Sequence, residues 1–383
     1  MKFAFLIFKY FPFGGMQRDM LRIARELIKK GHEVEIFTIS WDGDLPEDAI
    51  DVHLVPTRGF FNYRRYQNFI AAVQQKIRDR RSGDDKFDVV VGFNRMTGLD
   101  VYFAADPCFI ERAHAQRGFF YRLTPRYRWF AGWEQAIFST HASTQILLLS
   151  DIEKSYFQKW YHTQDERFHF IPPFLSASRF ILKDKMEMRS YLRKSFGFGA
   201  DDFVYLLVGS GFSMKGLDRA ISALASLPKD KLSTTRLVAV GQDNPKPFMK
   251  MAKRLGVAHR VTISSGRPDI PDLMQGADVY VHPAYRENTG LVILEALACG
   301  LPVLVTATCG YAFHVENAQA GYVAAAPFDQ DSFNALFYGM MTSQERDAWS
   351  KNGLDYARNI MSANDGSAEA AVLVDIAANK GRP

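Results

Sequence analysis

The chain has 383 residues, 47% of them hydrophobic and 23% charged, with 47 Lys and Arg against 42 Asp and Glu. That length exceeds a single hydrophobic core and suits two domains, and the composition excludes a disordered chain. A formal charge of +5 is too small to argue for nucleic acid, and the three cysteines, Cys108, Cys299 and Cys309, form neither a disulfide framework nor a metal-ligand pattern, which suits a reducing compartment.

The first apolar run, "FAFLIF" from Phe3 to Phe8, is broken by Lys9. It is shorter than a secretory signal core and has no small-residue cleavage site, so it predicts a buried strand. Nowhere do apolar residues run to the roughly 18 that a membrane span needs. "MQRDMLRIARELIKKG" follows with apolar residues at helical spacing, closed by Gly31. "HEVEIFTI" predicts a strand, "YQNFIAAVQQKIRDRR" a helix over 66–81, and "FDVVVGF" and "DVYFAA" further strands. This βαβ rhythm predicts a parallel sheet covered on both faces. Gly14 and Gly15 sit in the first strand-to-helix turn, where a backbone without side chains can approach a phosphate or sugar at a helix N-terminus. A tight turn that needs positive φ explains them as well, and the GxGxxG dinucleotide fingerprint is absent.

Residues 112–133, "RAHAQRGFFYRLTPRYRWFAGW", hold five arginines, seven aromatic residues and no acid. The five charges equal the whole net surplus of the chain (47 − 42). Arginines beside aromatic rings suit an anionic lipid surface, at about 1 kcal/mol per basic residue. The docking residues on this reading are Arg112, Arg117, Phe119, Phe120, Tyr121, Arg122, Arg126, Arg128, Trp129 and Trp133. The competing readings are a packed aromatic core with internally paired arginines, and nucleic-acid binding.

Two prolines and a serine-rich turn in "FHFIPPFLSASRF" predict a hinge near 171–180. The βα rhythm then restarts: "DFVYLLVGS", "KGLDRAISALASL", "TRLVAVG", "KPFMKMAKRLG", "RVTISSG", "IPDLMQGA", "DVYVHPA", "LVILEALACG" and "LPVLVTAT" alternate. Domains are expected at 1–172 and 173–360, with a tail at 361–383 that can form a last helix. Ligands of such sheets bind in loops at the carboxyl ends of the strands. Lys215 opens a helix after one such strand, where it can neutralise a diphosphate, although an ordinary solvated lysine would look the same in sequence. In residues 282–310, "HPAYRENTGLVILEALACGLPVLVTATCG", Glu287 precedes an apolar helix and Glu295 lies inside it, with seven residues between. An acid in an apolar helix is costly unless it is hydrogen-bonded, and a sugar diol is a partner that would satisfy it.

"ENTGLVILEALACGLPVL" resembles the E-x7-E signature of retaining glycosyltransferases of the GT-B type, in the family numbered four. "KYFPFGGMQRDMLRIA", "VGFNRMTGLDVYFAAD", "FFYRLTPRYR", "KGLDRAI" and "HPAYRENTG" are similar to the lipopolysaccharide core heptose glucosyltransferases of that family, over nearly the whole chain. The resemblance implies two Rossmann-like domains facing a central cleft, and transfer of glucose or a related hexose from a UDP-sugar to inner-core heptose with retained configuration. By position it implies Asp106, Glu287 and Lys215 as catalytic. It implies donor contacts from Gly15, Arg179, Arg267, Asn288, Thr289, Gly290 and Glu295, beside Lys215 and Glu287. Lys215 would quench the leaving diphosphate, Glu295 hold ribose and Glu287 hold the sugar. Met214 departs from the pattern, since relatives carry a second basic residue there. No Asp-x-Asp pattern lies in a suitable loop, so the implied chemistry uses neither metal nor cofactor, and the UDP-sugar is a substrate. The implied partners are the donor, the lipopolysaccharide acceptor and an anionic membrane, without nucleic acid. The implied place is the cytoplasmic face of the inner membrane, held peripherally. Other readings are a nucleotide-sugar 2-epimerase on the same fold, or a non-catalytic lipid-binding protein.

Overall fold

A computed structural model of the chain describes residues 1–12, 14–46, 49–80 and 85–380. These residues form two compact units, 1–172 together with 364–383, and 173–363.

In the first unit seven parallel strands are found among the described residues: β1 Lys2–Tyr10, β2 Glu33–Trp41, β3 Ile50–Leu54, β4 Val89–Gly92, β5 Val101–Ala104, β6 Gln145–Leu148 and β7 Phe168–Phe170. Their order is β3-β2-β1-β4-β5-β6-β7. The side-chain period of two splits β1 between two cores: Phe3, Phe5 and Ile7 pack on one face of the sheet, Ala4, Leu6 and Phe8 on the other. Burial on both faces is why the strand reads as an unbroken apolar run. Helices α1 Gly15–Lys29, α2 Asn62–Asp79, α3 Phe109–Gln116, α4 Pro125–Phe138 and α5 Asp151–Tyr161 cover the sheet. α2 starts earlier than the apolar pattern suggests, and Arg81, the last residue of the expected helix, lies outside the described residues.

The C-terminal tail is a helix, Ala368–Asn379, and it belongs to this first unit. Ala370 and Leu373 enter the core beside α1. The buried Glu369 takes both Arg22 guanidinium nitrogens, at 2.5 and 3.0 Å.

The second unit has its own parallel sheet: β8 Phe203–Val208, β9 Thr235–Val240, β10 Val261–Ser264, β11 Val279–His282, β12 Val303–Thr306 and β13 Gly321–Ala324, in the order β10-β9-β8-β11-β12-β13. Tyr205 and Leu207 of β8 enter one core, Val204 and Leu206 the other. In each sheet the winding direction reverses once, between β1 and β4 and between β8 and β11. Loops leaving the carboxyl ends of those neighbouring strands diverge and open a crevice in the unit that carries them.

Candidate functional site

In the second unit the loops after β8 and β11 flank the switch point, and they carry Lys215 and Glu287. The ammonium of Lys215 is in direct contact with Glu287 Oε2. Glycine makes the approach possible. Gly216 has φ +74°, and a Cβ there would sit 2.0 Å from the Pro283 carbonyl oxygen. The short helix Phe212–Lys215 can therefore run against the next loop, with Tyr285 N–H donating to the Met214 carbonyl at 2.9 Å.

Arg219 holds the same loop from outside. Its guanidinium lies 3.6 Å from the ring centres of both Tyr285 and Phe328 and donates to the Pro283 and Ala284 carbonyls at 3.1 and 3.2 Å. The far side of the loop is stitched to the segment after β12: Glu287 N–H donates to the Thr308 carbonyl at 3.2 Å, and Gly310 N–H to the Glu287 carbonyl at 3.1 Å.

Glu287 is the electrostatic centre of this arrangement. Burial pushes its carboxyl up, but His282 and Lys215 outweigh burial and hold it down at about 2. His282 is completely buried, with Nδ1 2.9 Å from the Tyr280 hydroxyl and Nε2 3.5 Å from Glu287 Oε2. Burial lowers its own pKa below the ordinary histidine value, so the ring is neutral at pH 7.

Asn288 is buried and Gly290 takes φ +83° as the N-cap of helix Leu291–Ala298. No side chain caps this helix, and Thr289 offers its carbonyl to Tyr311 N–H at 2.8 Å. Glu295 lies in the middle of the helix and is 7% exposed.

Two sequence-predicted donor residues lie elsewhere in the unit. Arg267 makes a bidentate pair with Asp269, Nε to Oδ1 at 2.8 Å and Nη2 to Oδ2 at 2.6 Å, and Tyr191 shares that carboxylate. Its guanidinium is thus already engaged. Arg179 is exposed in a short turn, Ala177–Arg179, near the Phe180 ring.

In the first unit Gly15 opens α1, no side chain caps that helix, and outside its chain neighbours and the helix's own backbone no atom lies within 4 Å of where a Gly15 Cβ would stand. Gly14 is the constrained glycine, because a Cβ there would strike the Gln17 side chain. Asp106 lies past the end of β5, not on it, with its side chain 47% exposed. Its turn is fixed from below. Buried Arg95 donates to the Asp106 carbonyl at 3.1 Å and to the Pro107 carbonyl, and pairs with Glu134 Oε1 at 2.9 Å. Glu134 also accepts the Phe109 and Ile110 N–H groups and the Tyr161 hydroxyl, and Glu153 accepts the Cys108 N–H at 2.6 Å. Two buried carboxylates thus cap α3. Neither they nor Arg95 was anticipated; an acid inside "WEQAIF" was the available signal.

The arginine-aromatic segment separates into a core part and a surface part. Trp133 is 4% exposed and packs against Phe8 and Phe130, so it is a core residue and not a docking one. Trp129 and Tyr121 are half-buried against Trp133 and Tyr127, and Arg112 and Arg122 are half-buried as well. The outward-facing set is Arg117, Phe119 at 65% exposure, Phe120 at 82%, Leu123, Arg126 and Arg128. Phe60, at 95% exposure before α2, was not anticipated. No described helix is long and apolar enough to cross a membrane, and no cluster of metal-ligating side chains occurs among the described residues.

Residues 13–179 match the family described as Glycosyltransferase Family 4, and residues 188–355 match Glycosyl transferases group 1. The chain is 44% identical over 355 residues to lipopolysaccharide glucosyltransferase WaaG of Escherichia coli (strain K12), covering 92% of this chain and 93% of that one. It is 26% identical over 378 residues to D-inositol 3-phosphate glycosyltransferase of Stackebrandtia nassauensis, covering 90% of this chain and 83% of the relative. Among solved structures, the crystal structure of WaaG, a glycosyltransferase involved in lipopolysaccharide biosynthesis, superposes with a TM-score of 0.88 at 42% identity, covering 96% of this chain and 98% of that one.

Proposed function

The chain belongs to the glycosyltransferase family that includes lipopolysaccharide glucosyltransferase WaaG, with the GT-B fold, and from that premise we propose that it transfers glucose from UDP-glucose to heptose of the lipopolysaccharide inner core. The observation that carries this reading is the Lys215–Glu287 contact at the switch point of the second sheet. A cation and an anion that neutralise each other at the switch point are matched to a ligand carrying both a diphosphate and hydroxyl groups. The diphosphate competes for Lys215, and the released carboxylate of Glu287 accepts hydrogen bonds from the sugar. Glu295 takes the ribose diol. Asn288, Thr289 and Gly290 line the sugar through a loop whose backbone is pinned on both sides. In the first unit Asp106 is the candidate for a polar contact to substrate, and Gly15 for a close backbone approach.

In the reaction, the bond between glucose C1 and the diphosphate oxygen breaks, and a bond from an acceptor hydroxyl oxygen to C1 forms on the same face. The acceptor proton passes to the departing phosphate oxygen. Lysine charge and backbone amides stabilise the leaving group. Arg267 and Arg179 are the weaker members of the predicted donor set, the first because of its pair with Asp269.

The exposed Phe119, Phe120 and Leu123 beside Arg117, Arg126 and Arg128 support docking of the first unit on an anionic lipid surface, where a lipid-linked acceptor is presented. On this reading the enzyme sits peripherally on the cytoplasmic face of the inner membrane. The test is UDP release from UDP-glucose with and without truncated lipopolysaccharide, with the product's anomeric configuration read by NMR. Acceptor-dependent release and an α-linked glucoside are expected. Release without acceptor would favour the 2-epimerase reading.

A further inference from the structure

We propose that His282 is a positioning residue: when the donor's diphosphate draws Lys215 away, the Nε2–H of His282 takes over the Glu287 carboxylate and keeps it aimed at the transferred sugar. The proposal rests on the donor-site reading above and adds to it the group that holds Glu287 during the reaction.

His282 ends β11 and is entirely buried, so its ring has no freedom to seek other partners. Its Nδ1 lies 2.9 Å from the Tyr280 hydroxyl, whose single hydrogen can go to that nitrogen or to the Val208 carbonyl at 3.3 Å; the shorter contact, and the carboxylate facing Nε2, assign it to Nδ1. A neutral ring that accepts from Tyr280 at Nδ1 carries its proton on Nε2. That Nε2 has no hydrogen-bond partner among the described residues and faces Glu287 Oε2 at 3.5 Å, the outer edge of hydrogen-bond reach. A buried donor left unmatched is rare and costly, so the geometry is that of a donor awaiting its acceptor.

What holds the acceptor short of it is Lys215, which contacts the same oxygen, Oε2. The two rivals differ in stiffness. Lysine is a mobile point charge on a four-carbon stem that a diphosphate can recruit; the histidine is built into a strand and stays. Two further titratable groups interact electrostatically with Glu287, and both are neutral at pH 7. Burial raises the Tyr280 phenol well above its ordinary value, and burial together with Glu287 pushes the Cys309 thiol up to about 12. Once Lys215 turns to the phosphate, His282 is the remaining donor to Glu287 from this cluster.

The test compares His282→Leu, His282→Gln, Tyr280→Phe and Glu287→Gln with the wild-type protein. It measures UDP binding by calorimetry and UDP-glucose turnover with truncated lipopolysaccharide. UDP lacks the sugar that Glu287 serves, so its Kd should stay within about twofold in the His282 and Tyr280 variants, whereas Glu287→Gln, which frees Lys215 for the diphosphate, should bind UDP at least as tightly as wild type. Turnover in His282→Leu should fall roughly 10- to 100-fold, the worth of one hydrogen bond to a charged group. His282→Gln, whose side-chain amide nitrogen reaches the place of Nε2, should recover at least fivefold over His282→Leu, which loss of packing alone would not produce. Tyr280→Phe, which deletes one hydroxyl, should lower kcat without moving the Kd for UDP, and it tests the relay even if His282→Leu does not fold. Wild-type turnover in His282→Leu or Tyr280→Phe, or equal losses in the Leu and Gln variants, would overturn the proposal. Loss in Glu287→Gln with none at His282 refutes the relay alone; wild-type turnover in Glu287→Gln refutes the donor-site reading beneath it.

Discussion

Replacing Lys215 by methionine keeps an apolar stem and deletes the charge, and the structure gives the change two separate magnitudes. At the transition state the lysine acts as one donor to a developing oxyanion, and losing such a donor costs roughly 10²- to 10³-fold in kcat. In the resting protein His282 and Lys215 overcome burial to hold the Glu287 carboxyl at about 2, against an ordinary 4.5. That interval corresponds to roughly 3 kcal/mol of stability. Lys215 is one of two partners and both ends of the ion pair retain some exposure, so its own share is about 1 kcal/mol. The sign follows from the depressed value. Stability from this carboxylate is fully present above pH 4.5 and is lost as the pH falls from 4.5 toward 2. Lys215→Met should therefore be less stable than wild type at pH 7, and the two should converge near pH 2. Initial rates of UDP release and urea melts at the two pH values measure both effects. A kcat within threefold of wild type would refute the role at the diphosphate, and a stability gap that does not shrink on acidification would refute the electrostatic account.

Gly216→Ala forces a Cβ to within 2.0 Å of the Pro283 oxygen at φ +74°, so a loss of at least about 2 kcal/mol and poor UDP binding are expected, read by thermal melts and calorimetry. Glu369→Ala leaves Arg22 without its buried carboxylate partner; about 3–5 kcal/mol should be lost, and limited proteolysis should clip the C-terminal helix before the body of the unit. Neutralising Arg117, Arg126 and Arg128 together should weaken binding to anionic vesicles by about 3 kcal/mol, roughly 100-fold, with a smaller effect in 0.5 M salt, read by co-sedimentation. Phe119→Ser with Phe120→Ser should weaken binding to anionic and neutral vesicles alike, since the loss is apolar. Unchanged sedimentation in either variant would remove the docking surface.

The alternation of strands and helices was legible because both sheets are parallel and buried on two faces. "FAFLIF" and "FVYLLVG" are apolar throughout for that reason, and Gly14–Gly15, Lys215 and Glu287 all fall shortly after strands at the two switch points. The short polar-edged strand β3 escaped notice, because Ile50 alone of its five residues is fully buried. The return of the C-terminal helix to the first unit was not readable either: its apolar stretch reports burial but not against what, and the Arg22–Glu369 pair spans 347 positions.

The same distinction decides the candidate site. Sequence pattern marks which side chains sit at strand ends, and so it reached Lys215 and Glu287. It does not mark which charges are already spent. Arg267 and Lys215 look alike as basic residues in post-strand loops, yet one is locked bidentately to Asp269, two residues on, and the other meets Glu287 across 72 positions. A local bidentate pair is rigid and self-contained, and a ligand must break two good hydrogen bonds to use that arginine. A pair that joins two loops at a switch point is a single flexible contact, which a diphosphate can exchange for a better one. Trp133 went astray for a related reason: aromatic residues at helical spacing signal amphipathicity, and only the packing of Phe8 and Phe130 tells which face is the inner one.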